Sequence, residues 1–155
     1  DVERSRGLGD VYKRQVENRL AALLFGIPAV KGVEFGDGFA LGQLRGSAAN
    51  DPMTIAPDGR VTATANHNGG VLGGITSGMP LILRVAIKPT PSIGQPQQTV
   101  DLAAGRPETL VIRGRHDPCI VPRALPVVEA ALAVGVLDLM ETEAAERPWE
   151  GMGQA

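Results

Sequence analysis

Two clusters in this chain have the residue types and spacing to do chemistry. The first reads NHNGGVLGGITSGMPLILRVAIKPTPS from Asn66 to Ser92. Gly69, Gly70, Gly73, Gly74 and Gly78 crowd its first half. Glycine costs conformational entropy, so that density calls for backbone coming very close to another segment or to a ligand. The run from Leu81 to Lys88 then alternates as a strand with one buried face. Leu81, Leu83, Val85 and Ile87 share that face, which leaves Arg84 and Lys88 together on the other. The strand leads into Lys88-Pro89-Thr90-Pro91-Ser92, a proline-stiffened loop with two hydroxyls. Cations, hydroxyls and bare backbone suit a phosphorylated or otherwise anionic ligand. The same residues can also be read as ordinary turns at the end of a strand. Familiar phosphate motifs are absent: Met79 follows the Gly73–Gly78 pair where a P-loop has lysine, and no GxGxxG occurs in the run.

The second cluster is Gly114-Arg115-His116-Asp117-Pro118-Cys119. Arginine offers a fixed fork for phosphate or carboxylate, and His116 and Asp117 can each handle a proton. The alternative is a charged turn closed by an internal Arg–Asp pair. Asn66 and His67 are secondary candidates, His67 reading first as a structural hydrogen-bonding residue and Asp37 as a turn residue.

The elements that position these clusters follow from periodicity. Residues 16–26 place Val16, Leu20, Leu23 and Leu24 on one helical face, with Gly26 and Pro28 as stop signals. Two short strands, 33–35 and 39–44, are expected around Gly36-Asp37-Gly38. Residues 46–62 are small or polar, with turn signals at Asp51-Pro52 and Pro57-Asp58-Gly59, and read as an irregular excursion. A loop over 94–107 carries a short strand near Val100, and a further strand is expected at 109–113. A long helix over 121–140 has a main stripe of Leu125, Val128, Leu132, Val136 and Leu139. Additional apolar positions widen that stripe, which predicts burial between layers or at a subunit contact. Residues 141–155 read as a polar tail. Residues 1–15 are polar and their end, 8–15, resembles a translated adapter, so 1–15 are set aside as a non-native leader, leaving 16–140 as the folded portion.

Composition narrows the function classes. At 155 residues the chain has about one domain's length, with 43% hydrophobic and 21% charged residues. A net charge of −2 gives no footprint for nucleic acid, and 3% aromatic content gives no base-stacking platform. No apolar run reaches the roughly 20 residues of a membrane span. The single cysteine, Cys119, fits a reducing cytoplasm, and with two histidines it makes no metal set.

Four strings carry a specific resemblance: IPAVKGVEFGDGF (27–39), NHNGGVLGGITSGMP (66–80), KPTPSI (88–93) and GRHDPCIVPRALPVVEA (114–130). In order and spacing they resemble the C-terminal part of chorismate synthase. The resemblance implies an α+β fold, part of a β-α-β sandwich in which antiparallel sheet packs on helices. It implies a lyase that converts 5-enolpyruvylshikimate 3-phosphate to chorismate and phosphate by anti-1,4-elimination. The family requires reduced FMN and is usually a homotetramer. It leaves open whether NADPH or an outside reductant reduces the flavin. Carried over, the flavin contacts are Ala29, Gly73, Lys88, Pro89, Thr90, Pro91, Ser92 and Arg115, and Asp117 handles a proton near flavin N5. Pro28 departs from the asparagine of many members. The family's N-terminal histidines and substrate-gripping arginines have no counterpart here, so the chain is expected to be a fragment, inactive alone. The competing reading is a non-catalytic flavin- or phosphate-binding, oligomerising piece. A third is a fragment that does not fold stably, its sheet edges being exposed.

Overall fold

The computed structural model describes Leu8 and residues 15–146. Its elements are α1 (Val16–Phe25), β1 (Val30–Phe35), α2 (Gly46–Ala49), β2 (Met53–Ile55), β3 (Val61–Ala63), β4 (Val71–Leu72), β5 (Ile75–Thr76), β6 (Leu83–Ile87), β7 (Gln97–Asp101), β8 (Arg106–Leu110) and α3 (Val121–Glu146). The strands pair as four antiparallel ribbons, β1–β6, β2–β3, β4–β5 and β7–β8. Helices and antiparallel strands together make the fold α+β, in agreement with the sequence.

The core sits where α1 and α3 meet β4 and β6. Val16, Leu20, Val71 and Leu139 are buried there, with Phe35, Leu81, Leu83, Leu132 and Val136 packed around them. A fully buried leucine or valine contributes roughly 1.5–3 kcal/mol, so this small cluster is the main apolar anchor. Gly135 lets α1 and α3 approach closely, since a Cβ there would lie 2.7 Å from Leu20 and Leu23 side-chain carbons. Arg19 and Asp138 tie the same helices at the surface. In β6, Leu83, Val85 and Ile87 are half-buried while Arg84 and Ala86 face solvent, as alternation requires.

Four expectations are corrected. Residues 39–44 do not form a strand; Gly38–Gln43 winds as a 3-10 turn. Gly36 and Gly38 both take positive φ, which breaks extended pairing at that corner. The 46–62 excursion is more ordered than its composition suggested, because it holds α2 and the β2–β3 hairpin closed around Pro57-Asp58-Gly59. The last strand lies at Arg106–Leu110 rather than 109–113, where it forms a hairpin with β7. Helix α3 also runs on to Glu146, because Glu and Ala sustain a helix without an apolar period. Much of α3 is uncovered: Leu125, Val134, Leu137 and Met140 are exposed. Among the described residues, no helix is long and apolar enough to cross a membrane.

Candidate functional site

The β1–β6 ribbon positions the first half of the site. Val33 pairs with Val85 and Phe35 with Leu83, but the register breaks between Val30 and Gly32. Val30 faces Ile87 and Gly32 faces Ala86, so Lys31 is an extra residue on β1. Just before this bulge, Ala29 has φ 71°, the left-handed region, a conformation that costs a non-glycine residue of order 1 kcal/mol. The Ala29 carbonyl accepts the Lys88 backbone N–H at 2.7 Å. Ala29 and the KPTPS loop are therefore joined where the ribbon ends.

The second half meets the first through a histidine. Ser92 Oγ lies 3.1 Å from His116 Nδ1, and His116 Nε2 lies 3.3 Å from the Ile112 carbonyl. A carbonyl can only accept, so Nε2 carries a hydrogen, and Nδ1 of the neutral ring accepts from the Ser92 hydroxyl. Asp117 Oδ2 accepts from Arg123 Nη1 at 2.9 Å. An Arg–Asp pair thus exists, but its arginine comes from the first turn of α3 and not from the turn itself. Arg115 is exposed, with no hydrogen bond or ion pair among the described residues. Thr90 Oγ1 is buried with no hydrogen-bond partner among the described residues, a costly state for a hydroxyl that a ligand would relieve.

Two contacts thus tie the segments: Ala29 to Lys88 at the start of the KPTPS loop, and Ser92 at its end to His116, whose chain neighbours are Arg115 and Asp117. Gly73 stands apart. It lies in the β4–β5 turn with φ 60°, followed by Gly74 at 83°, the pair of positive φ values that a type I′ hairpin demands. Among the described residues a Cβ at Gly73 would meet nothing within 4 Å, so its backbone is open to an incoming group. Among the described residues no hydrogen bond ties it to the Lys88 group. Its neighbour Gly74 instead accepts the Val16 N–H at 2.9 Å, and Thr76 bonds Leu8.

Other glycines serve the fold. A Cβ on Gly36 would fall 2.0 Å from the His67 carbonyl oxygen and 2.4 Å from the Gly69 nitrogen, so β1's exit nests directly on the NHNGG turn. His67 Nδ1 pairs with Asp37 Oδ2 at 2.6 Å, the structural role read for it. Asp51 accepts the His67 N–H at 2.6 Å, the Asn68 N–H at 3.0 Å and the Asn68 side-chain amide at 2.9 Å. Desolvation pushes the Asp51 carboxyl up, yet the Asn68 and His67 donors outweigh it and hold the group below its ordinary range. Sequence reasoning missed this residue, reading Asp51-Pro52 only as a turn. It also set Arg84 beside Lys88 as cations suited to an anionic ligand. Arg84 is committed, to Glu34 Oε1 and the Gly36 carbonyl, each at 2.6 Å. The Phe39 N–H and then Arg84 hold the Glu34 carboxyl below its usual range. Among the described residues no group of three His, Cys, Asp or Glu side chains could hold a metal.

The fold and site define an α+β protein with a polar junction between two loops at the end of an antiparallel ribbon. The sequence profile of chorismate synthase matches residues 2–140, and the chain belongs to that family. It is 55% identical over 146 residues to a chorismate synthase of Thermococcus kodakarensis, covering 94% of this chain and 40% of that one. A Pyrococcus abyssi chorismate synthase is 56% identical over 132 residues, covering 85% of this chain and 37% of the relative. A crystal structure of chorismate synthase superposes with a TM-score of 0.67 at 32% identity, over 86% of this chain and 33% of that one. The chain thus spans about 40% of the length of the relatives it matches.

Proposed function

We propose that this chain is the portion of an FMN-dependent lyase that binds the flavin's polar edge. The full-length protein converts 5-enolpyruvylshikimate 3-phosphate to chorismate and phosphate by anti-1,4-elimination, as a cytoplasmic homotetramer. The observation that carries this reading is the Ser92–His116 contact, which brings the KPTPS and GRHDP loops of a chorismate synthase family member to one place.

The residues present fit a flavin. Among the described residues Thr90 offers a buried hydroxyl without a partner, Gly73 an unobstructed backbone, and Lys88 an exposed ammonium. Ala29, Pro89, Thr90, Pro91 and Ser92 would line the group, and Lys88 and Arg115 would balance its negative charge. Reduced FMN, when bound, supplies the transient electron and the proton acceptor that such an elimination needs. Losing phosphate builds charge on the leaving oxygens, so fixed cations and amide donors at the junction lower the barrier. Asp117 is oriented through Oδ2 by Arg123, leaving Oδ1 without a hydrogen bond among the described residues and able to hold a proton. By itself the chain does not turn over substrate, because preorganised contacts to the substrate phosphate are needed from beyond this portion.

Titration of FMN against the purified chain, followed by quenching of flavin fluorescence, tests the proposal. Saturable binding that weakens in Lys88→Met and Arg115→Met is expected. No saturable binding, or binding indifferent to both changes, sinks it. Fusing the chain behind the rest of the Thermococcus kodakarensis relative and rescuing an aromatic auxotroph would test the enzymatic half.

A further inference from the structure

We propose that Lys31 joins Lys88 as a ligand for a phosphoryl group at the open end of the β1–β6 ribbon, an assignment that rests on the flavin-dependent reading above. Strict alternation from Val33 and Phe35 would carry Lys31 to the inner face, opposite Ile87. The observed register gives that place to Val30, which is 5% exposed, and turns Lys31 out into solvent. Bulges re-aim a side chain in this way. This one is retained beside an alanine in left-handed backbone, where a Gly or a regular strand would be cheaper. Keeping an ammonium out of the apolar face explains why Lys31 leaves the ladder. It does not explain where the charge goes.

Lys88 supplies that part. It directly follows Ile87, the partner of Val30, and its N–H is bonded to the Ala29 carbonyl, so the two lysines flank one step of the ribbon. Paired strands lie about 4.8 Å apart, well within the reach of two four-carbon stems converging on one anion. Neither side chain has a hydrogen bond or ion pair among the described residues, and both are exposed. The remaining cation of the ribbon, Arg84, is held by Glu34 and the Gly36 carbonyl and contributes little free charge. The nearest ribbon carboxylate, Glu34, is occupied by Arg84 and the Phe39 N–H. What is left is a pair of compact positive charges without a counter-ion, suited to a dianionic phosphate monoester rather than to a planar carboxylate fork. The flavin's phosphate and the substrate's phosphate share that chemistry.

The test compares the wild-type chain with Lys31→Met and Lys31→Arg, each checked by circular dichroism for retained fold. FMN, riboflavin and 5-enolpyruvylshikimate 3-phosphate are titrated in turn. If the site holds the flavin phosphate, Lys31→Met weakens FMN by about tenfold, leaves riboflavin unchanged, and Lys31→Arg restores most of the loss. If it holds the substrate phosphate, the same pattern falls on that ligand and FMN is unaffected. Equal losses for FMN and riboflavin, or no loss for either phosphorylated ligand, overturn the proposal. Should the wild-type chain bind no flavin and no substrate, the functional reading fails on its own. Inorganic phosphate followed by 31P line shifts then decides: a shift lost in Lys31→Met supports the site, and no shift in the wild type overturns it.

Discussion

Ser92 Oγ and His116 Nδ1 stand 3.1 Å apart although 24 positions separate them in the chain. Between them run the whole β7–β8 hairpin and its connections, so the contact closes a long loop onto itself. The histidine also holds the Ile112 carbonyl, which makes it a bracket between the end of the hairpin and the proline-bearing loop.

Removing that bracket should loosen the junction without unfolding the chain. His116→Ala is expected to cost about 0.5–1.5 kcal/mol, the net worth of a neutral hydrogen bond, and to weaken FMN binding by about three- to tenfold. Ser92→Ala should do the same, and the double variant should cost little more than either alone. Additive losses would mean the two side chains do not act together.

The nesting of Gly36 on the NHNGG turn predicts a sharp contrast between glycines. Gly36→Ala must both hold φ 55° and displace the His67 carbonyl and Gly69 nitrogen, all backbone. It should lose upwards of about 3 kcal/mol in urea denaturation, among the larger single-site effects. Gly59→Ala, with φ 82° but open space around it, should lose only about 1 kcal/mol.

Asp51 should give the chain an acid limb. Its folded-state carboxyl titrates below the ordinary 3.8, so its contribution is fully present above that value and fades as pH falls through the lower, folded one. Wild-type urea midpoints should therefore drop more steeply below about pH 4 than those of Asp51→Asn. The two curves should converge at the acid end. Parallel curves would show that the carboxylate does not organise the turn.

The uncovered side of α3 should be measurable as stickiness. Leu20, Leu81, Leu83, Leu132, Val136, Leu137 and Met140 line an apolar cavity of about 390 Å³ open to solvent. Leu137→Glu should cut binding of an environment-sensitive apolar dye and slow aggregation, with helical content unchanged. No change in dye binding would place the exposed apolar surface elsewhere.

Periodicity made α1, β6 and α3 legible, because each repeats its apolar face often enough to be counted. The two polar loops were legible as chemistry, but their meeting depends on His116 crossing to Ser92, which no local pattern encodes. Arg84 was misjudged for the same reason: its partner Glu34 lies 50 positions away. Asp51 was hidden inside a turn signal, since a capping carboxylate and a turn aspartate look alike until the N–H groups they serve are known. Lys31 did leave a trace. In Val30-Lys31-Gly32-Val33-Glu34-Phe35 the apolar parity slips between Val30 and Val33, the mark of one residue too many on a strand.

That surplus residue also fixes how the ribbon can be assembled. With Lys31 removed, Val30 and Gly32 would still face Ile87 and Ala86 in an unbroken ladder, so a one-residue deletion should tighten the ribbon mechanically while stripping it of a charge. Sturdiness and recognition would then move in opposite directions at a single position.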